Sequence, residues 1–263
     1  MTHPIDITQI LPVAWPCYIA GKAVESDDTL EVRYPWDGSL TGTLPRITPG
    51  QLEQAIQAAL GQAQPPTRSE RYEILMLARE LLAGRADEFA NLIRLEAGLC
   101  MRETRYEVGR AQEVFKFAAA EALRDDESIF SCDAAKNGPA RKIFTLREPL
   151  SLVAAITPFN HPLNQVAHKL APAIAAGVPV LLKPSSKTPL VAIRLTELLY
   201  EAGLPPAMLS TFVGDRKTIT EALVRDPRVD LVTFTGVESI VDHTPATGRS
   251  FSFDATYSDN HEM

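Results

Sequence analysis

At 263 residues, 45% of them hydrophobic, the chain is long enough to bury roughly 70 to 75% of the surface its unfolded form exposes, so a globular fold is expected. Its formal net charge is -7, from 26 Lys and Arg against 33 Asp and Glu, and its pI is about 5.3. Nucleic-acid binding draws on clustered cations, so this balance argues against a polyanionic partner and for a neutral or small anionic ligand.

The opening stretch, "MTHPIDITQILPVAWPCYIAG", is broken by Pro4, Pro12 and Pro16 and sets no basic region before an apolar core. Neither a signal peptide nor a membrane span is expected from it. "CYIAGKAVES" and "TLEVRYPWDGSLTGTLP" alternate apolar and polar residues around turn formers, which predicts a leading β-ribbon. "ITPGQLEQAIQAALGQA" then opens a helix with Thr48, Pro49 and Gln51 in a capping-box arrangement and a stripe of Leu52, Ile56, Ala59 and Leu60. "RSERYEILMLARELLAGRADEFANLIRLEAG" predicts helix with a break near Gly84, and "RETRYEVGRAQEVFKFAAAEALR" a further helix. In "SIFSCDAAKNGPARKIFTLREPL", two β-like arms flank Asn137-Gly138, the strongest short hairpin signal of the chain.

From Ser151 the rhythm changes. Apolar β-rich runs, "SLVAAITP", "VPVLLKP", "AMLSTFVG" and "VDLVTFTG", alternate with helical stretches closed by Gly or Pro. That pattern predicts an α/β fold with a Rossmann-like, doubly wound parallel sheet. The organisation expected is therefore 1-126 for ribbon and helices, 127-150 for the hairpin, 151-241 for the parallel sheet, and 242-263 for a tail without apolar periodicity that reads as unstructured. Ligands on such sheets sit beyond the carboxyl ends of the strands. Function is accordingly sought at Thr157 to His161, Lys183 to Lys187, Gly214 to Arg216, and from Thr235 onward.

Taken together, "REPLSLVAAITPFNHPL", "KLAPAIAAGVPVLLKPSSKTP", "EAGLPPAMLSTFVG" and "DLVTFTG", backed by "LEAGLCMRETRYEVGRA", resemble the NAD(P)-dependent aldehyde dehydrogenase superfamily, in order from about Tyr18 to Gly236. The wording of "YEVGRA", "RDDESIFSCD", "ARKIFTLREPL" and "ITPFNHPL" is similar to the phosphonoacetaldehyde dehydrogenase branch, which oxidises a small aldehyde bearing a phosphonate. The resemblance implies NAD or NADP as cofactor, no metal, and a dimer or tetramer held in part by the hairpin. By motif, Asn160 is the family's oxyanion donor, supplying its side-chain amide to the charge that forms when a cysteine thiolate attacks the aldehyde. The plainer reading of Asn160 is a cap for a helix beginning near Pro162.

The other site residues follow in the same way. Ile156, Thr157, Pro158 and Phe159 line the cofactor side of that loop. Lys183 matches the lysine that meets the adenosine ribose, and Ser185, Gly214, Thr235 and Gly236 complete the cofactor edge. Many NAD-preferring members place a glutamate three residues after that lysine; here Ser186 stands there, followed by Lys187. Removing the carboxylate removes repulsion against a 2'-phosphate, so NADP is expected to be accepted at least as well as NAD, unless Lys187 is simply a solvated surface charge. His161 and Arg110 are candidate readers of an anionic substrate group; otherwise Arg110 pairs with Glu107 at i,i+3 spacing. Lys169 matches a lysine assigned to a charge relay in some members, and otherwise snorkels to the surface. Gly177 and Gly203 read as helix C-caps.

The resemblance stops at "FTG". Where the family has small residues opening a phosphate-binding helix, this chain has Val237 and Val241, so a damaged phosphate loop is expected. The resemblance implies that the family's glutamate base, nucleophilic cysteine and catalytic domain are to be expected beyond the last residue. Cys17, Cys100 and Cys132 are too scattered for a disulfide framework or metal motif, stand outside the family's cysteine context, and read as inert thiols in a reducing cytoplasm. Two readings of different class follow: an aldehyde dehydrogenase by descent, truncated and inactive as a lone chain, or a non-catalytic NAD(P)-binding or interaction module.

Overall fold

The computed structural model describes residues 12–62, 64–139, 141–236 and 250–254. The leading ribbon is built from β1 (Cys17–Ile19), β2 (Lys22–Val24), β3 (Thr29–Arg33) and β4 (Leu40–Pro45). Ala20 and Gly21 both take positive φ, 46° and 78°, which suits a two-residue turn between antiparallel β1 and β2. A Cβ on Gly21 would approach Pro206 Cβ to 2.7 Å, so this position needs glycine for space as well as conformation. The ribbon divides in two: β3 and β4 pair with each other, whereas β1 crosses to the main sheet through Tyr18 opposite Thr211.

Four helices follow. Helix α1 (Pro49–Leu60) has the expected capping box, Thr48 Oγ1 accepting from Gln51 N and the Gln51 side chain accepting from Thr48 N. Helix α2 (Arg68–Gly84) has a second one, from Thr67 and Glu70. Arg85 forms the break to α3 (Ala86–Ala97), which Gly98 ends in the left-handed conformation at φ 74°. Helix α4 (Met101–Ala122) then leads to the hairpin of β5 (Ile129–Ser131) and β6 (Lys142–Phe144).

The hairpin arms pair as expected, Ile129 with Phe144 and Ser131 with Lys142, but the Asn137-Gly138 dipeptide is not a two-residue turn between them. The connection is longer, and its described residues 132–139 are folded by bonds such as Gly138 N to Ala135 O at 2.8 Å. Gly138 lies so close to the Cys132 carbonyl that a Cβ there would collide with it. Glycine is needed for close approach, a demand that the dipeptide does not distinguish from turn geometry.

The main sheet runs β11-β10-β7-β8-β9-β1-β2, with β7 (Val153–Ile156), β8 (Val180–Lys183), β9 (Leu209–Thr211) and β10 (Leu231–Thr235) parallel. The doubly wound α/β expectation holds. Every residue of β7 is buried, as are Val180, Leu181 and Leu182 of β8, which is why these strands read as unbroken apolar runs. Helices α5 (Asn164–Ala176) and α6 (Leu190–Glu201) return the chain between β7, β8 and β9, and α2, α3 and α4 pack outside them. On α5 half of the buried set is alanine, Ala167, Ala171, Ala173 and Ala175, small enough for close packing against α4. Gly177, at φ 77°, caps α5, and Gly203, at φ 94°, lies just past the end of α6. A π-turn at Arg216–Thr220 and the short α7 (Glu221–Arg225) precede β10.

One expectation is corrected in the tail. Residues Ser250–Asp254 form β11, parallel to β10 from Leu231 opposite Ser250 to Thr235 opposite Asp254. The "SFSF" alternation is a period-two β signal, and β10 would otherwise present an open edge. Residues 242–249 and 255–263, and with them Val241, lie outside the described residues, as does Val237.

Candidate active site

From β7 the chain proceeds to β8 and then β9 on one side, and β10 returns to the other side of β7. The strand order therefore reverses between β7 and β10, and their carboxyl ends form the switch-point edge where such sheets bind ligands. Thr157 directly follows the last residue of β7, and Thr235 ends β10. They are 4% and 2% exposed, and the register of Ile156 opposite Phe234 sets them side by side. Neither Oγ1 has a hydrogen-bond partner. Buried hydroxyls are normally paired, so two orphans at this edge fit a ligand that supplies the missing partners.

Beyond Thr157 the loop turns through Pro158, Phe159, Asn160 and His161. Asn160 is half-buried, and its Oδ1 is buried without a partner. It does not cap α5: the N-cap is Leu163, which makes no side-chain bond. The first amides of α5 are instead satisfied from another helix. Glu107 of α4 accepts from Leu163 N and Asn164 N through Oε1, each at 2.9 Å, and its Oε2 lies 3.6 Å from His161 Nδ1. Burial pushes the Glu107 carboxyl up, while the two amides and His161 oppose that shift. The expected Glu107 to Arg110 pair is thus not formed, because Glu107 turns into the protein and Arg110 stays exposed one turn along.

The β8 loop has a matching arrangement. Glu96 of α3, 2% exposed, accepts from Leu190 N at 2.7 Å and Val191 N at 3.1 Å, at the start of α6. Burial pushes its carboxyl up to about 8. Sequence reading missed Glu96 altogether and gave Glu107 only as a partner for Arg110. The available signal is negative: neither α5 nor α6 begins with a residue whose side chain caps it, so acceptors from elsewhere are required.

Lys183 ends β8 opposite Ile156, and Thr157 N reaches its carbonyl at 3.4 Å. Burial holds the Lys183 ammonium below its ordinary range, helped by the Arg46 charge and opposed by Asp215. Ser185 Oγ accepts from Lys187 N at 3.2 Å and its carbonyl from Thr188 N at 3.2 Å, shaping the loop; Ser186 is half-buried between them in sequence. Lys187 differs from a freely solvated charge, for its Nζ stands 4.4 Å over the Phe159 ring, linking the β7 and β8 loops. Gly214 follows β9, where a Cβ would lie 2.7 Å from Ile219 Cγ1, and Gly236 follows β10, where one would lie 2.6 Å from Phe234 Cζ.

The structure therefore brings Ile156, Thr157, Pro158, Phe159, Asn160 and His161 to one edge with Lys183, Ser185, Ser186, Thr235 and Gly236. Arg110 is not brought to this edge by any contact: it is exposed on α4, one turn beyond Glu107. Lys169 is 7% exposed within α5, so it does not snorkel to the surface. The Cys17 thiol donates to Pro45 O, and burial pushes it up to about 12, as befits an inert core group. Two concavities of about 850 and 730 Å³ lie elsewhere, against α2 and α4. They hold none of these strand-end residues, and the geometry of the sheet locates the site better than their size does.

Residues 23–249 match the aldehyde dehydrogenase family. The chain belongs to that family. It is similar to 3-sulfolactaldehyde dehydrogenase of Priestia aryabhattai, at 39% identity over 221 residues, covering 83% of this chain and 46% of that protein. It is also similar to aspartate-semialdehyde dehydrogenase 1 of Pseudomonas canavaninivorans, at 40% identity over 211 residues, covering 79% and 44%. Among solved structures, NADP-dependent glyceraldehyde-3-phosphate dehydrogenase from Bacillus halodurans C-125, complexed with NADP, superposes with a TM-score of 0.84 at 29% identity, covering 92% of this chain and 52% of that one. The chain spans about half the length of the relatives it matches. No group of three or more His, Cys, Asp or Glu placed to hold a metal occurs among the described residues, and no helix there is long and apolar enough to cross a membrane.

Proposed function

We propose that this chain is the cofactor-binding half of an NAD(P)-dependent aldehyde dehydrogenase, acting on a small aldehyde with an anionic group, and that the 263 residues alone bind dinucleotide without oxidising aldehyde. The observation carrying the binding reading is the edge formed by β7, β8 and β10, where Thr157 and Thr235 have buried, unpartnered hydroxyls beside the part-buried Lys183. These residues fit a polyhydroxylated, phosphorylated ligand: Lys183 and Ser186 stand where the adenosine ribose is expected, and Ile156, Pro158 and Phe159 offer apolar surface. When bound, the nicotinamide ring supplies the hydride acceptor. Asn160 would hold the substrate oxygen with its side-chain amide, and a buried Oδ1 without a partner leaves that amide uncommitted to capping. Lys169 is retained as a proton-relay candidate in the assembled enzyme.

The candidate readers of an anionic substrate group, such as a phosphonate, are His161, which faces Glu107 of α4, and Arg110, three residues further along that helix. Such a group agrees in chemistry with the sulfonate and carboxylate implied by the names of the sulfolactaldehyde and aspartate-semialdehyde relatives. The hairpin, with Ile129 81% and Phe144 68% exposed, is proposed to join subunits of a dimer or tetramer, and the working compartment is the cytoplasm.

Calorimetric titration of the purified chain with NAD and with NADP tests the reading. Binding of both is expected, with Ser186→Glu weakening NADP by about tenfold or more and leaving NAD within about threefold, because a carboxylate repels the 2'-phosphate. Equal losses for the two cofactors would sink the NADP assignment, and substantial aldehyde oxidation would refute the inactivity.

A further inference from the structure

The turn carrying Asn160 and His161 is held locally by one backbone bond, Gln165 N donating to His161 O at 3.0 Å. Prolines at 158 and 162 restrict φ on either side, but Asn160 Oδ1 has no partner and α5 starts without a side-chain cap. The side-chain grip on the turn comes from Glu107, on a helix more than fifty residues earlier in the chain. We infer that Glu107 is the positioning residue of this turn: one carboxylate oxygen sets the start of α5, the other sets the His161 ring, and together they fix the direction of the Asn160 side chain.

Three contacts from one buried group carry the argument. Glu107 is 3% exposed, so its own side chain has little freedom. Its Oε1 accepts from two successive amides, Leu163 N and Asn164 N, at equal distances of 2.9 Å, a fork that favours a full negative charge at a helix N-terminus. Its Oε2 has no hydrogen bond and lies 3.6 Å from His161 Nδ1, so the carboxyl faces the imidazole ring. His161, Leu163 and Asn164 are thus tied to α4, and Asn160 is the residue immediately before the first of them. A cap that only stabilised α5 would need the Oε1 bonds alone.

The consequence for an oxyanion donor rests on the function proposed above, but the positional claim does not. It is tested without cofactor, by nuclear magnetic resonance of the 263-residue chain. Wild type is compared with Glu107→Asp, Glu107→Gln and Glu107→Ala through the Asn160 side-chain amide signals, the His161 ring nitrogens, and amide exchange at Leu163 and Asn164 against Leu170 and Ile174 deeper in α5. Glu107→Asp and Glu107→Ala are expected to move the Asn160 and His161 signals and to speed exchange at Leu163 and Asn164 by about tenfold, leaving Leu170 and Ile174 protected. Glu107→Gln keeps an acceptor for the amides and is expected to restore their protection and the Asn160 signals while leaving His161 shifted. Asn160 signals unmoved in Glu107→Ala, with only a lower melting temperature, would reduce Glu107 to a cap and overturn the inference. Should Glu107→Ala not fold, Asn160 signals in Glu107→Asp identical to wild type overturn it equally. Failure of dinucleotide to bind would count against the proposed function and leave this result untouched.

Discussion

Helices α1 and α2 on one side, and α5 and α6 on the other, solve the same problem in different ways. Each starts with amides that have no partner within the helix. For α1 and α2 the answer lies in adjacent sequence, Thr48 with Gln51 and Thr67 with Glu70, on the surface. For α5 and α6, the helices that leave the ligand-binding edge, it comes from Glu107 and Glu96, buried carboxyl groups on the outer helical layer. A local box fixes only where a helix begins. A remote carboxyl group also fixes where that beginning stands relative to another layer, which a site assembled from separate loops requires.

The sharpest way to break this comparison is Glu96→Ala. It leaves the amides of Leu190 and Val191 without their acceptor in a dry interior, at a cost of about 3 kcal/mol near pH 6, read as a shift in the urea midpoint. The same residue predicts a pH signature. Its carboxyl is raised from an ordinary value of 4.5 to about 8 by burial, so the native state holds a proton that the unfolded chain has released. The stability this provides is complete below about 4.5 and is lost as pH rises through about 8, on the order of a few kcal/mol by linkage. Glu96→Gln, which cannot ionise, is expected to flatten that part of the profile. A loss of stability on going from pH 6 to pH 9 that is the same in wild type and Glu96→Gln would show that Glu96 does not carry this proton.

Thr67→Ala sharpens the comparison from the other side. It removes a surface cap that has only its neighbours to serve, and is expected to cost about 1 kcal/mol, with no change in dinucleotide affinity. A larger loss, or an altered affinity, would mean that the local box also positions the site.

The same contrast explains what could be read in advance. Periodicity exposed the parallel strands, the helices, the Arg85 break to within a residue and the Thr48 box, because each depends on residues close together in sequence. The strand-end loops followed from topology, so Thr157, Asn160, Lys183 and Thr235 could be nominated from their places after strands. The partners of those loops could not. Glu107 looked like the i,i+3 neighbour of Arg110, because spacing along a helix says which residues share a turn and not which way the turn faces. Gly138 likewise advertised a tight turn, while the fold uses it for close approach to Cys132. At Ser250–Asp254 a short alternating run was outweighed by its irregular surroundings, and the neighbouring edge of β10 is visible only in three dimensions.

The smallest expected effect separates the two readings of Asn160. As a cap, its truncation would cost about 1 kcal/mol, the usual loss when Asn is replaced by Ala at an N-cap. In the structure Leu163 occupies the N-cap, Glu107 satisfies the amides, and Asn160 Oδ1 is buried without a partner. Removing an unsatisfied buried acceptor relieves a desolvation cost. Asn160→Ala is therefore expected to change unfolding stability by less than about 0.5 kcal/mol, in either direction, and to leave α5 protected from exchange. A loss near the cap value would restore the structural role. An unchanged stability would mean that Asn160 is kept uncommitted at the strand end, held in place by Glu107 while contributing little to the fold itself, which is the condition an oxyanion donor has to meet.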